Sequence, residues 1–228
     1  MLYNPFKNLE KHEWFLWIIS LVMVLCSNII SNNRDIISLC GTALGVTALI
    51  FVAKGDVWGH IICAFFCILY GISSYQTRYY GELITYVGMS LPATIFSIFS
   101  WLRHPFASGH NEVKIHRLTK KEFCIVCLVS VVGTIIFYFI LKALNTASLL
   151  FSTFSITTSL FASLLTFYRN PYYAVAYMVN DVVLIILWSI ASFEAFSKFP
   201  MVICFFMFFV NDLYGFISWK KREKIQRG

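Results

Sequence analysis

Charge is what this chain lacks most. Only 13% of its 228 residues are Asp, Glu, Lys or Arg, and the acidic share is eleven residues. A water-soluble domain of this length carries about twice that fraction. The chain also lacks GxxxxGK[ST], HExxH and GxSxG, which leaves no P-loop, zinc-protease or nucleophile-elbow signature to build an enzyme on. Its five His (12, 60, 104, 110 and 116) are scattered, with no spacing that suits a metal, and no cofactor is expected. All seven Cys (26, 40, 63, 67, 124, 127 and 204) sit inside apolar runs, where they read as small packing residues. The Cys124–Cys127 spacing lies within such a run and has no second pair, so neither zinc nor redox chemistry is assigned to it.

What the chain has is apolar surface. It is 59% hydrophobic, with 23 Phe, 12 Tyr and 6 Trp. No single domain of this size hides that much from water, so lipid is the natural solvent and the backbone must be helix or closed barrel. The runs are long and do not alternate, which selects helices. Eight spans are expected, at 14–31, 35–53, 57–77, 80–102, 122–143, 147–168, 172–193 and 199–219. The first run, Trp14 to Ile30, is too long for a signal-peptide core and is kept as a helix. Pro171 and Pro200 fall at helix starts, and Pro92 inside span four predicts a kink. Gly41 and Gly45 form a GxxxG, read as a packing feature only.

The net charge of +7 would suit nucleic acid, but its placement argues for topology. With eight crossings, fourteen of the eighteen Lys and Arg fall on one side. Arg34, Arg78, Lys142 and Lys198 fall on the other. By the positive-inside rule both termini are cytoplasmic, and no nucleic-acid partner is expected. The loop 103–121 is the longest connection and the most basic.

An internal repeat is visible. Ser97-Ile-Phe-Ser-Trp101 and Gly215-Phe-Ile-Ser-Trp219 each end a span, and each precedes basic residues. The stretches 51–59 and 166–174 match as basic turns before aromatic helix starts. Spans two to four and six to eight then form two parallel three-helix units separated by span five. The predicted organisation is an N-terminal segment with its helix (1–34) and a first bundle (35–102). A loop and linker helix (103–143), a second bundle (147–219) and a basic tail (220–228) follow. A cleft between two such bundles places a binding site near the bilayer midplane.

Polar residues inside the spans mark where that site should be, because an ionisable group at a span centre costs roughly 2.5–3.5 kcal/mol on insertion scales. Asn180 and Asp181 stand together in the seventh span. They either line a polar cleft or brace the bundle. Asn can donate to and accept from a sugar or an amide. Asn211 and Asp212 repeat the pair in the eighth span. Asn211 is deep enough for the cleft, whereas Asp212 suits pairing with a nearby Lys or Arg. Tyr177 shares a helix face with Asn180, where stacking on a ligand and plain packing are both open. Trp188 reads as core or ligand contact, and Trp101 and Trp219 as an interfacial aromatic belt.

Several segments together resemble the PnuC family of nicotinamide riboside transporters. They are Ile68–Tyr75, Tyr79-Tyr-Gly-Glu-Leu-Ile-Thr-Tyr86, Met89–Pro92 and Ser100–Pro105. Glu112-Val-Lys114, Asn180-Asp-Val-Val-Leu-Ile-Ile-Leu-Trp188 and Tyr214–Lys221 complete the set. The resemblance spans about 35–222. It implies an all-α membrane protein with a 3+1+3 arrangement like that of SWEET-type carriers, a bacterial inner-membrane location and a homotrimer. It implies facilitated diffusion of nicotinamide riboside, trapped by a cytoplasmic kinase. Tyr70, Thr85 and Tyr86 would line the first bundle's side of the cleft; Tyr177, Asn180, Asp181, Trp188 and Asn211 would line the other. Where many family members carry a Trp-rich segment before the Asn, this chain has PYYAVAYMVN, and Thr85 and Tyr86 follow YGE where many carry Asn or Gln. Thiamine, riboflavin and deoxynucleosides are the alternative substrates, and a membrane receptor without transport is the less favoured class.

Overall fold

The computed structural model describes residues 4–32, 35–76, 80–106, 112–146 and 148–227. Arg34, Arg78, Tyr79, Gly109 and His110 lie outside the described residues. Among the described residues, eight helices are long and apolar enough to cross a membrane. We label them α1 (Lys11–Ile30), α2 (Ile36–Ala53), α3 (Val57–Gln76), α4 (Gly81–Arg103), α5 (Lys120–Ala143), α6 (Leu149–Phe167), α7 (Tyr173–Glu194) and α8 (Phe199–Ile225).

Local chemistry sets the boundaries. Asp35 caps α2 by accepting from the Ile37 amide (3.0 Å), and its other oxygen accepts from Ser73 Oγ at the end of α3. Thr119 and Glu122 form a capping box that starts α5. Gly55, at φ +70°, turns the chain between α2 and α3. Gly59 lets α3 lie directly against α2: a Cβ there would come within 2.5 Å of the Val52 backbone nitrogen. Pro92, expected to kink the helix, is preceded by a change of helix type. It withholds a backbone donor, and α4 widens into a π-helical stretch over Ile84–Ser90 before regular helix resumes at Leu91.

The helices touch in the order α2, α3, α4, α6, α7, α8 and back to α2, a closed ring of six. α1 packs outside it on α2 and α8, and α5 outside it on α6. α1 is held by more than apolar contact. Glu13 is buried, ion-paired with Lys54 (2.6 Å) and hydrogen-bonded by Tyr214 (2.7 Å). Trp17 donates to Thr47 (3.0 Å).

The basic ends of the helices gather on one face. There the chain departs from expectation in two ways. α8 does not stop at Trp219 but runs on to Ile225, so the basic tail is helical. Lys220 (2.7 Å) and Arg227 pair with Glu223 along it. The loop after α4 is not slack either. Its residues 112–117 form a strap across this face. The Val113 amide donates to Gly55 O (3.0 Å), His116 N to Arg169 O (3.1 Å) and Ile115 N to Gln226 Oε1 (2.8 Å). Glu112 pairs with Arg222, and Arg117 with Glu223 (2.9 Å). One short segment thus touches the turn after α2, the turn after α6 and the end of α8.

Candidate functional site

Beneath the strap, the two Trp expected in an interfacial belt are instead buried, at 3% and 1% exposure. The Trp101 indole N–H, at the end of α4, donates to Thr166 O near the end of α6 (3.0 Å). The Trp219 N–H, at the end of α8, donates to Val52 O near the end of α2 (2.9 Å). The rings lie 5.4 Å apart. An indole N–H taken out of water needs a partner. Here each finds one on a neighbouring helix of the ring, α6 for Trp101 and α2 for Trp219, and the two bonds form a reciprocal latch on the basic face.

Behind the latch lies a cavity inside the ring, with roughly 100 Å³ open to the centre of a water molecule. Four of the eight expected site residues line part of it: Tyr86, Tyr177, Asn180 and Asp181. Asn180 is held from one side, since its Oδ1 accepts from Ser155 (3.0 Å) and Thr158 (2.9 Å) on α6. With the oxygen used by the bundle, its NH₂ is the group left for a ligand. Tyr177 exchanges a hydrogen bond with Ser163 (2.9 Å). Asp181 Oδ2 is buried and makes no hydrogen bond among the described residues. Its carboxyl group shares the cavity lining with that of Asp212 on α8.

The other four sit elsewhere. Asn211 faces away: its NH₂ donates to Ser20 of α1 (3.0 Å) and to Met207 O (2.7 Å). Adjacent residues on a helix diverge by about 100°, so Asp212 turns inward when Asn211 turns out. Asp212 therefore meets Asp181 rather than a basic residue. Thr85 lines a constriction of about 10 Å³ with Glu82 and Tyr86, on the side of the cavity away from the latch. Beyond it lies a vestibule of about 220 Å³, where Trp188 is found with Glu82, Glu194 and Lys198. Tyr70 packs at a tilt against Tyr86 (4.2 Å between ring centroids) and donates to Glu82 (3.4 Å), lining none of these spaces.

Residues that sequence reasoning passed over complete the lining. His60 and Cys63 come from α3, Thr94 and Ser97 from α4, Ser163 and Thr166 from α6, and Tyr173 from α7. Ser and Thr in apolar helices carry little signal, because they bond their own i−4 carbonyls so readily. His60 stands in the first turn of α3, where a His reads as interfacial. Among the described residues the cavity lining holds two carboxyl groups and neither Lys nor Arg. Such a site suits a cation with a flat ring and polar substituents, and is poorly suited to an anion.

The sequence matches the nicotinamide mononucleotide transporter family over residues 35–221. It is similar to a Neisseria mucosa protein named nicotinamide riboside transporter PnuC, at 24% identity over 222 residues, 95% of this chain and 84% of that one. A Haemophilus influenzae protein of the same name is 22% identical over 182 residues, 79% of this chain and 77% of that one. A crystal structure described as the vitamin B3 transporter PnuC shares the fold. Its TM-score is 0.80 at 23% identity, covering 94% of this chain and 92% of that one.

Proposed function

Because the chain belongs to the nicotinamide mononucleotide transporter family, a family of membrane transporters and not of enzymes, we propose that it carries nicotinamide riboside through the cavity inside the helix ring. The observation that carries this reading is the lining: Asp181 and Asp212 face the cavity, with no Lys or Arg among its described residues. Nicotinamide riboside is a pyridinium cation. The mononucleotide adds a phosphate of roughly −1.5 to −2 charge, which this lining repels. Tyr86, Tyr177 and Phe66 offer ring faces to the cation, each worth about 0.5–2 kcal/mol.

The cavity is much smaller than the roughly 300 Å³ of an ordinary ligand pocket, with the latch on one side and the constriction on the other. Transport by alternating access has the groups α2–α4 and α6–α8 rock apart, first to open the vestibule and then to release the latch. This treats 35–102 and 147–219 as parallel repeats, with α5 as linker. Fourteen Lys and Arg on the latch face support a cytoplasmic position for that face and both termini, in a bacterial inner membrane. Facilitated diffusion becomes one-way when a cytoplasmic kinase adds a phosphate, since the acidic lining rejects the product. A homotrimer, as the family resemblance implies, completes the reading, and native mass spectrometry measures it.

Calorimetry on the purified protein tests the substrate, with nicotinamide riboside, the mononucleotide, thiamine, riboflavin and a deoxynucleoside in parallel. Riboside binding at micromolar concentration with none of the mononucleotide is the expected result. Tighter binding of the mononucleotide or of a neutral nucleoside overturns the charge argument. Thiamine also carries a cationic ring, and its preference over the riboside reassigns the substrate while keeping the site.

A further inference from the structure

Two buried polar atoms among the cavity-lining residues make no hydrogen bond among the described residues. Asp181 Oδ2 is one. The other is Nε2 of His60, on the opposite bundle. His60 is 5% exposed. Its ring stands edge-on to Trp101, 4.2 Å between centroids and 83° between planes. Leaving a buried polar atom unpaired costs about 1–3 kcal/mol, which a ligand bond recovers.

Height within the bilayer separates the two orphans. α3 and α7 both start at the latch face, at Val57 and Tyr173. His60 lies three residues along its helix and Asp181 eight along the other. At 1.5 Å per residue, His60 sits about 7 Å nearer the latch. The same lining carries the hydroxyl groups of Thr94, Ser97 and Thr166. An elongated ligand with a cationic ring at Asp181 would bring its other end to this level.

We propose that His60 reads the sugar of the bound molecule, its Nε2 hydrogen-bonding one ribose hydroxyl while the pyridinium ring lies at Asp181. This rests on the nicotinamide riboside reading above and deepens it by orienting the substrate, ring toward the vestibule and sugar toward the latch. His60 determines specificity for a hydroxylated tail. Because the same imidazole packs on Trp101, the sugar contact lies one ring away from the bond that closes the basic face.

The test is equilibrium binding to the full chain in detergent with two ligands, nicotinamide riboside and N-methylnicotinamide, a pyridinium cation without sugar, the second read by competition. His60→Leu is expected to weaken the riboside roughly three- to tenfold, the worth of one hydrogen bond. It should leave N-methylnicotinamide within about twofold, since that ligand never reaches the imidazole. His60→Gln, which keeps a donor and an acceptor, should recover part of the riboside loss. If His60→Leu does not fold, His60→Asn, with its shorter reach, is expected to show the same unequal loss. Equal losses for the two ligands, or no loss for either in a folded variant, overturn the proposal. Unmodified protein that binds N-methylnicotinamide but not the riboside overturns it as well. Unmodified protein that binds neither instead removes the substrate reading on which the proposal stands.

Discussion

At the scale of single residues, Asn180 has the bracing role of the two left open for it, and the proposed function adds the ligand contact. Its oxygen braces α7 against α6 through Ser155 and Thr158, and this fixes the direction in which its NH₂ points. Asn180→Ala therefore removes a ligand contact and leaves two hydroxyls to find new partners. We expect riboside affinity to fall several-fold, about 1 kcal/mol, with folded protein retained, as measured by calorimetry and size-exclusion chromatography. Asp181→Asn keeps shape and removes charge. It should weaken the riboside at least tenfold, about 2 kcal/mol or more for a desolvated charge contact, and leave any binding of a neutral nucleoside unchanged; equal losses would disconnect the carboxyl from the ligand's charge. Asn180 and Asp181 were legible because polar groups are rare at span depth. Tyr86 and Tyr177 followed from resemblance and from helical spacing. Asn211 and Trp188 misled for a geometric reason: depth along a helix can be counted from sequence, whereas the direction a residue faces depends on which neighbours surround the helix.

The helical elements themselves were the most readable feature, since a run of apolar residues long enough to cross lipid has few alternatives. Their ends were less so. The extension of α8 to Ile225 and the ordering of residues 112–117 arise from contacts between segments about a hundred residues apart, such as Gln226 with Ile115. No local pattern announces such contacts. The pairing of Trp101 and Trp219 across the two groups was hidden likewise, although their repeated sequence context was plain. Trp219→Phe keeps the ring and removes one N–H of the latch. It should speed modification of Cys63, a cavity-lining thiol, by a polar thiol reagent added on the basic face; peptide mass spectrometry reads the site, and an unchanged rate would mean the latch does not control access. α1 makes a separate prediction. Glu13→Ala leaves Lys54 buried without its partner and should destabilise the protein by about 3–5 kcal/mol, whereas replacing both with apolar residues of similar volume should restore most of it. Thermal unfolding of these two variants and of the Lys54 single replacement checks this, and additive losses would exclude the coupling.

For the molecule as a whole, the ring of six helices gives one interior with two unlike boundaries. Toward the vestibule the boundary is aromatic, with Tyr70, Tyr86 and Glu82 packed together. Toward the basic face it is the indole latch, and over the latch runs the strap. Two ion pairs fasten that strap to α8, Glu112 with Arg222 and Arg117 with Glu223, and both have one partner well exposed to water. Exposed pairs of this kind contribute only about 0–1 kcal/mol each, and dissolved ions weaken them. The screening distance is about 8 Å at physiological ionic strength and about 3 Å at 1 M salt. The closure on the basic face is thereby exposed to the solute content of the compartment it faces, while the aromatic closure is not. In a cell losing water the strap loosens first. Proteoliposomes loaded with increasing internal salt, at fixed osmotic balance, should then show a rising exchange rate until the strap no longer limits it, with Glu112→Gln reaching that ceiling at lower salt. With the proposed orientation, the strap ties turnover to cytoplasmic ionic strength.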